Sequence, residues 1–350
     1  MNPHEYYSPP TVGILASVTR SQKGFPVGKE TKIIKEKFAM AKKYGINLFI
    51  FYPDGINWKN KTIIGCQFIS STGKKGYWVK RTFPFPDIVY NRIRDRQIEK
   101  QPPIKQLLRR LYDDPNIKLL NRRFFDKWEV YKVLLSDPTT SDMVPRTRLL
   151  SSANLKHYLS RRSMVYIKPR RNNAARGIVK VVRTPGVYLY CQAQSSPPQW
   201  ERRVCFDGLW RQLRVFIKNP NNYVVQMGID LCKVDERIVD FRAQVQKDGN
   251  GEWVFTGIEA RLAQKGRIAT TGSVYGTRVS FKKTINNISR SEDFKSGINE
   301  QLAHLYQAVP QVLEKKLGLS LAVLSIDIGI DTNGKVWIIE VSSKPEPFAS

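Results

Sequence analysis

The sequence predicts an α/β unit followed by an α+β unit, on three observations. The first third alternates short apolar strands with helical segments, the remainder is dominated by strand pairs joined by polar turns, and 350 residues exceed one ordinary core. Residues 11–16 read as a short apolar strand, and residues 31–44 as a helix with its stripe at Ile33, Ile34, Phe38 and Ala41, closed by Gly45. The run NLFIFY at 47–52 follows as a buried strand. Strand-like 62–70, 76–80 and 86–90 and a helix over 104–112 complete a small sheet covered by helices. A second unit begins near Asn121, where a strand at 117–120 leads into a helical segment at 124–135, interrupted afterwards by Pro138 and Pro145. A strand at 163–169, a loop to Arg176 and a hairpin partner at 178–183 come next. Beyond the polar stretch 192–199, strands are expected at 213–217, 223–227, 240–246 and 253–259, with Asp248-Gly249-Asn250-Gly251 turning between the last two. A helix over 297–316, kinked or divided at Pro310, precedes a final hairpin.

Composition bounds the function. With 58 Lys plus Arg against 30 Asp plus Glu, the chain carries a net charge of +28, dispersed as doublets such as Arg109-Arg110, Arg161-Arg162 and Arg170-Arg171. Such a field attracts polyanions of any kind. The sequence holds no zinc finger, RRM-type aromatic motif or heptad-linked basic region, so sequence-specific nucleic-acid binding is not expected. No apolar run approaches the ~20 residues of a membrane span, and MNPHEYYSPP lacks a basic segment followed by an apolar core, so the expectation is a soluble, non-exported protein. Cys66, Cys191, Cys205 and Cys232 are far apart, as are His4, His157 and His304. Neither a zinc site nor a disulfide framework is indicated, and the cysteines read as small core hydrophobes, although spacing leaves a Cys/His pair open.

The most informative stretch is SIDIGIDTNGKVWIIEVSSKP, residues 325–345. Asn333-Gly334 signals a two-residue type I′ hairpin, which pairs Thr332 with Lys335 and sets Asp327 opposite Glu340. Ile326, Ile328 and Ile330 then face Val341, Ile339 and Trp337 on an apolar side, leaving both acids on the other. Opposed carboxylates are destabilising unless offset, and a magnesium ion shared with nucleotide phosphates is one remedy. The alternative is an exposed hairpin edge whose acids point into water.

Four further segments join this hairpin: Asp126-Lys127 at a helix start, Ile167-Lys168-Pro169 before a loop ending Arg176-Gly177-Ile178, the buried strand Val224–Ile229, and Asp240-Phe241-Arg242 followed by Arg261. In this order, and with the phrases PDIVYNRI, FFDKWEVYKVL, VDFRAQVQK, GEWVFTGIEARLAQKGRI and GKVWIIEVSSKP, the chain resembles the endospore coat-associated YheC/YheD family of the ATP-grasp superfamily, over roughly residues 10 to 346. The resemblance implies an N-terminal α/β pre-ATP-grasp domain at 1–120 and an ATP-grasp domain of two α+β subdomains at 121–350, with a lid-type subdomain at about 140–225. It implies ATP and Mg as cofactors. Lys127, Lys168 and Arg176 would meet phosphates, backbone groups from Gln226 to Ile229 the adenine edge, and Arg242 and Arg261 an acidic substrate or transferring phosphoryl group. Asp327 and Glu340 would hold the metal. It further implies a place in the mother-cell cytoplasm in association with the spore coat, with coat proteins or anionic spore polymer as partners.

The pattern also breaks. The loop KPRRNNAARGI carries Asn172 and Ala175 where the family has glycines and Asn173 where it has a serine. Ser342 stands where ATP-grasp enzymes place a metal-binding Asn, and Thr270-Thr271 leads to Tyr275-Gly276 in place of Thr-Asn and paired glycines. Two functions stay open: an ATP- and Mg-dependent carboxylate–amine ligase with a weakened nucleotide site, or a non-catalytic coat component that binds anionic polymers or coat proteins.

Overall fold

The computed structural model describes residues 9–17, 31–70, 76–172, 175–193, 199–203, 205–270, 276–289 and 291–346. Asn173, Thr271 and Tyr275, and most of the polar stretch 192–199, lie outside them. The chain divides into two compact units. One takes in the residues up to Phe124, Leu319–Ala322 and the residues from Lys344; the other is Phe125–Gly318 with Val323–Ser343.

The first unit runs β1 (Thr11–Leu15), α1 (Thr31–Lys43), β2 (Asn47–Asn57), β3 (Thr62–Ile69), β4 (Tyr77–Pro84), β5 (Ile88–Asn91), α2 (Arg96–Glu99), α3 (Pro102–Asp113) and β6 (Lys118–Leu120). Its sheet has the order β4-β3-β2-β1-β5-β6, with parallel pairing around β1 and an antiparallel β2–β3–β4 edge. Alternation along the central strands feeds both faces. Ile14 and Ile50 pack under Ile34, Phe38 and Ala41 of α1, while Leu15, Phe49 and Phe51 pack under Ile104, Leu107 and Leu111 of α3. This is the covered α/β sheet expected from the sequence. Within the same unit the ammonium of Lys344 is held by Glu99 and donates to the Ile93 carbonyl, and burial, against the pull of Glu99, pushes its pKa down to about 8.

The second unit comprises α4 (Lys127–Leu135), β7 (Thr147–Leu149), α5 (Ser152–Arg161), β8 (Met164–Pro169), β9 (Val179–Thr184), β10 (Val187–Gln192), β11 (Glu201–Arg203), α6 (Phe206–Phe216), β12 (Tyr223–Met227), β13 (Lys233–Val234), β14 (Arg237–Lys247), β15 (Trp253–Ala263), β16 (Gly276–Ser280), α7 (Phe281–Ile288), α8 (Glu292–Leu317), β17 (Val323–Ile330) and β18 (Val336–Ser342). They build two sheets, β11-β10-β9-β8-β12-β7 and β16-β15-β14-β17-β18, with β13 paired on β14.

Several local expectations are corrected. Residues 213–217 are not a strand: Leu213 belongs to α6, where Leu209 and Leu213, one turn apart, are both buried. The helix expected from Phe124 starts at Lys127, because the Asp126 side chain accepts from the Trp128 N–H and caps it there. Pro310 does not divide α8, which runs unbroken from Glu292 to Leu317 with Leu305, Val309 and Leu313 buried around the ring; packing on that face outweighs the one hydrogen bond proline removes. Cys66, Cys191 and Cys232 are buried as expected, but Cys205 is exposed and its Sγ accepts from the Gly208 N–H at the start of α6.

The final turn also differs. Ile330 pairs with Val336, so five residues close the hairpin in place of two. Asn333 keeps a negative φ and Gly334 alone of the pair is left-handed, at +79°, whereas type I′ needs both positive. The Asp331 carboxylate accepts from the N–H groups of Asn333 and Lys335, each at 2.9 Å, and stabilises the longer loop. This shifts the ladder by one residue. A β-bulge at Ile339 shifts it back, so Asp327 does lie opposite Glu340. The apolar face accordingly uses Val336 and Ile338, both fully buried, in place of Trp337 and Ile339.

Candidate functional site

The polar face of the second unit's β14–β15–β17–β18 sheet carries an alternating row of charges. Asp240 and Arg242 lie two residues apart on one side of β14, Arg261 stands opposite Asp240, Asp327 opposite Arg242, and Glu340 opposite Asp327. Arg242 donates from Nε and Nη2 to the two oxygens of Asp327 at 2.8 and 3.0 Å. Arg261 donates bidentately to Asp240 at 2.7 Å for each bond, and its Nη2 lies 3.0 Å from Asp327 Oδ2. The Thr270 hydroxyl donates to Asp240 as well. Burial opposes ionisation of Asp327, but Arg242 and Arg261 outweigh it and hold the carboxyl well below the usual carboxylate range. Burial likewise opposes the charge of Arg261, and Asp327 and Asp240 raise its pKa in spite of it.

The forks expected to face an acidic substrate therefore close on the protein's own carboxylates. Asp240 and Thr270 were not legible as site residues, for a reason of register. Counted straight from the 248–251 turn, Arg261 would fall opposite Val239 and point to the apolar face. A bulge at Thr256, between the rungs Gln244–Gly257 and Val245–Phe255, turns it to the polar face. Gly257 inside a strand was the available signal.

Lys127 opens α4. Its Nζ lies 2.7 Å from Glu340 Oε1 and donates to the Asn172 carbonyl at 2.6 Å. Asp126 fixes this corner: besides capping α4 it takes Arg171 Nε at 2.8 Å and Arg170 Nη2 at 3.0 Å. Burial disfavours its charge, yet the bonds from Arg170 and Arg171 leave its pKa lowered. The start of the 170–177 loop is thus tied to the helix that carries Lys127. Farther along, Ala175 sits at φ +47° and Gly177 at +74°. An alanine in the left-handed region is strained, which explains physically why glycine was expected there. Arg176 is exposed, and with Lys127, Asn172 and Glu340 it lines a small cavity.

Lys168, on β8, is 7% exposed and donates to Gln226 Oε1 at 2.5 Å; Gln226 Nε2 in turn donates to Thr147 Oγ1 at 2.8 Å. Burial pushes the Lys168 ammonium down to about 8, against the pull of Glu340. Both residues line a cavity of about 90 Å³, room for about three waters. Its walls are Ile178, Ile229, Leu231, Ile238, Ile268 and Ile339, with Tyr166, Asp240 and Thr270. The bulge is what brings Ile339 into this wall, and the buried Tyr131 hydroxyl supports it by donating to the Ile339 carbonyl at 2.6 Å.

One backbone expectation changes. Gln226 lies inside a strand paired on both sides, so it offers its side chain to the cavity. The Met227 and Gly228 N–H groups donate to the carbonyls of Arg146 and Met164. Ile229 follows past the end of β12 and lines the cavity. Ser342 stands opposite Ser325, on the same strand face as Glu340. Among the described residues, no group of three or more His, Cys, Asp or Glu side chains could hold a metal ion by itself, and no helix is long and apolar enough to cross a membrane.

Comparison with known proteins accords with this geometry. A model of the YheC/D like ATP-grasp family matches residues 116–350. Endospore coat-associated protein YheD of Bacillus subtilis (strain 168) is 28% identical over 345 residues, 98% of this chain and 74% of that protein. Endospore coat-associated protein YheC of the same strain is 20% identical over 312 residues, 87% of this chain and 82% of that one. Among solved structures, the VanG D-Ala:D-Ser ligase from Enterococcus faecalis matches with a TM-score of 0.50 at 13% identity, over 96% of this chain and 91% of that chain, a likeness of fold. The mixed α/β and α+β architecture is that of an ATP-grasp protein, and the chain belongs to the YheC/D-like ATP-grasp family.

Proposed function

We propose that this chain is a spore coat-associated ATP-grasp protein that binds ATP with magnesium in the Lys168–Ile229–Ile339 cavity and uses it as a carboxylate–amine ligase through an acyl phosphate. The observation that carries the reading is an aliphatic slot with Lys168 and Gln226 in its wall, beside the row that ends in Glu340 and Lys127. The slot suits a flat apolar base, with Ile229 at its edge, and the two ammonium groups suit phosphate oxygens. Arg176 adds charge at the loop. Residues 1–120 are the preceding domain in this reading, 121–350 the ATP-grasp domain, and about 140–225 its lid.

Asp327 and Glu340 fit a magnesium ion in a limited way. A carboxylate offers about four lone-pair sites. The bonds from Arg242 and Arg261 leave Asp327 one on Oδ1, whereas Glu340 gives up one to Lys127. Such an ion would keep phosphate and water oxygens for its other positions and would neutralise the β- and γ-phosphates. Arg242 and Arg261 have N–H groups beyond those engaged, and these would meet the acidic substrate or the transferring phosphoryl group. Ala175 and Ser342 make this a weakened site.

A specific observation favours a second reading, a non-catalytic coat component. Both acids are already neutralised by the protein's own cations, so no ligand is needed to hold them together. A net charge of +28 suits anionic spore polymer or acidic coat proteins as partners, and the likeness to two coat-associated proteins supports the location. Calorimetric titration of MgATP into wild type and Lys168→Met separates the two. Binding that the substitution weakens supports the nucleotide reading and justifies assaying ADP release with candidate acids and amines. No heat at millimolar nucleotide leaves the coat-component reading.

A further inference from the structure

A second cavity, of about 580 Å³, is lined by Arg146, Arg148, Arg161 and Arg162 together with His157 and Tyr158. Its construction is specific. β7 is the edge strand of its sheet, and strand alternation turns Thr147 to Gln226 while Arg146 and Arg148 take the opposite face. On α5, His157 and Arg161 are one turn apart on one side, with Arg161 Nη1 3.2 Å from His157 Nε2. Arg162 caps the same helix, where the carbonyl ends favour positive charge.

The contrast with the other arginines of this unit is chemical. Arg170, Arg171, Arg242 and Arg261 each close on a carboxylate. Among the described residues, none of the arginines around this cavity forms an ion pair with an acid; their neighbours are His157 and Tyr158. The His157 ring feels the resulting field: Arg161 first, then burial and Arg148, hold its pKa below the ordinary histidine value. Guanidinium groups converging from a strand and a helix on one concavity repel one another until an anion sits between them, and their planar forks match phosphate and carboxylate oxygens.

We propose that the cavity between β7 and α5 is a binding site for a small, multiply charged oxyanion, separate from the nucleotide cavity. Met227 lines both cavities, and its N–H is held by the Arg146 carbonyl. The two sites would thus be neighbours along β12, and Thr147, which also lines this cavity, holds Gln226 of the other.

The test titrates the full chain, at about 0.15 M salt and without divalent metal, with inorganic tripolyphosphate and separately with citrate. The His157 ring resonance is followed beside the heat of binding. Binding of either anion that moves the His157 pKa upward supports the site, and the stronger of the two identifies phosphate or carboxylate as its preference. The double substitution Arg148→Gln with Arg161→Gln should weaken that binding about tenfold or more and abolish the His157 shift. Lys282→Gln with Lys283→Gln, which removes the same charge from the exposed side of α7, should change neither. No binding by either anion, binding without a His157 shift, or equal weakening by the two double substitutions would overturn the proposal; the last would mean net charge alone is at work.

Discussion

Asp327 and Glu340 face each other across one rung of the β17–β18 ladder and are held in different ways. Asp327 is 14% exposed and clamped by two guanidinium groups; Glu340 is 35% exposed and meets one ammonium. The first is a fixed charge that ties β14, β15 and β17 together. The second is half-buried and opens to water on one side, while its partner Lys127 is only 9% exposed and keeps a bond to the Asn172 carbonyl, so the carboxylate is the end of this pair that can turn to another cation. The lesson is that two acids brought together by one hairpin need not share a role: one organises the arginines, and the other, held by a single lysine, is the one that the proposed function offers to a ligand.

The comparison breaks most visibly at Asp327→Asn. With the carboxylate gone, Arg242 and Arg261 lose a buried counterion, and urea unfolding should show a loss of about 3–5 kcal/mol. A loss like that of a surface pair would mean Asp327 is not the anchor. The pH dependence follows from the direction of its shift. A carboxyl whose folded pKa is depressed contributes stability that is complete above its unfolded value, about 4, and is lost as pH falls toward the folded one. Wild-type unfolding should therefore hold its Asp327 contribution through pH 5, and the wild-type advantage over Asp327→Asn should shrink only below about pH 4.

Next in size is Lys168→Met, expected to weaken MgATP binding about tenfold or more. The ammonium is pushed down to about 8 and phosphate favours its charged form. Wild-type affinity should accordingly fall as pH rises through about 8, while the variant stays flat; equal profiles would remove Lys168 from the phosphate site. Glu340→Gln leaves the buried Lys127 ammonium with the Asn172 carbonyl but without its carboxylate, and should cost about 1–2 kcal/mol in urea unfolding, less than Asp327→Asn. The smallest effect belongs to Ala175→Gly. Relief at φ +47°, less the added freedom of glycine in the unfolded chain, should raise stability by about 0.5–1 kcal/mol; a destabilised variant would show that the loop does not hold that conformation.

How much of this was legible depends on distance from a turn. The Asp327–Glu340 rung was read correctly although the turn was not of the expected type, because the extra residue in the loop and the bulge at Ile339 cancel. The β14–β15 hairpin offered no such cancellation: its turn was recognised, but the bulge at Thr256 reversed the faces beyond it and hid the Arg261–Asp240 pair. Bulges depend on packing of the whole sheet, and sequence marks them only weakly, here through Gly257. Lys127, Lys168 and Gln226 were singled out through ordered motifs. Their partners Asn172 and Thr147 were not paired with them, since each lies on a different element and meets its lysine or glutamine only in the folded unit; Asp126 was named beside Lys127, but its ties to Arg170 and Arg171 were not foreseen. The strand misread at 213–217 has a simpler cause: a short apolar run fits either period, and the buried Leu209 one turn earlier decides for the helix.

The most direct test of the exchangeable carboxylate is the magnesium dependence of ADP binding, measured by calorimetry in wild type and in Glu340→Gln. The account predicts that magnesium tightens ADP binding to wild type and that this gain disappears in the variant while metal-free binding persists. An equal gain from magnesium in both proteins would contradict it.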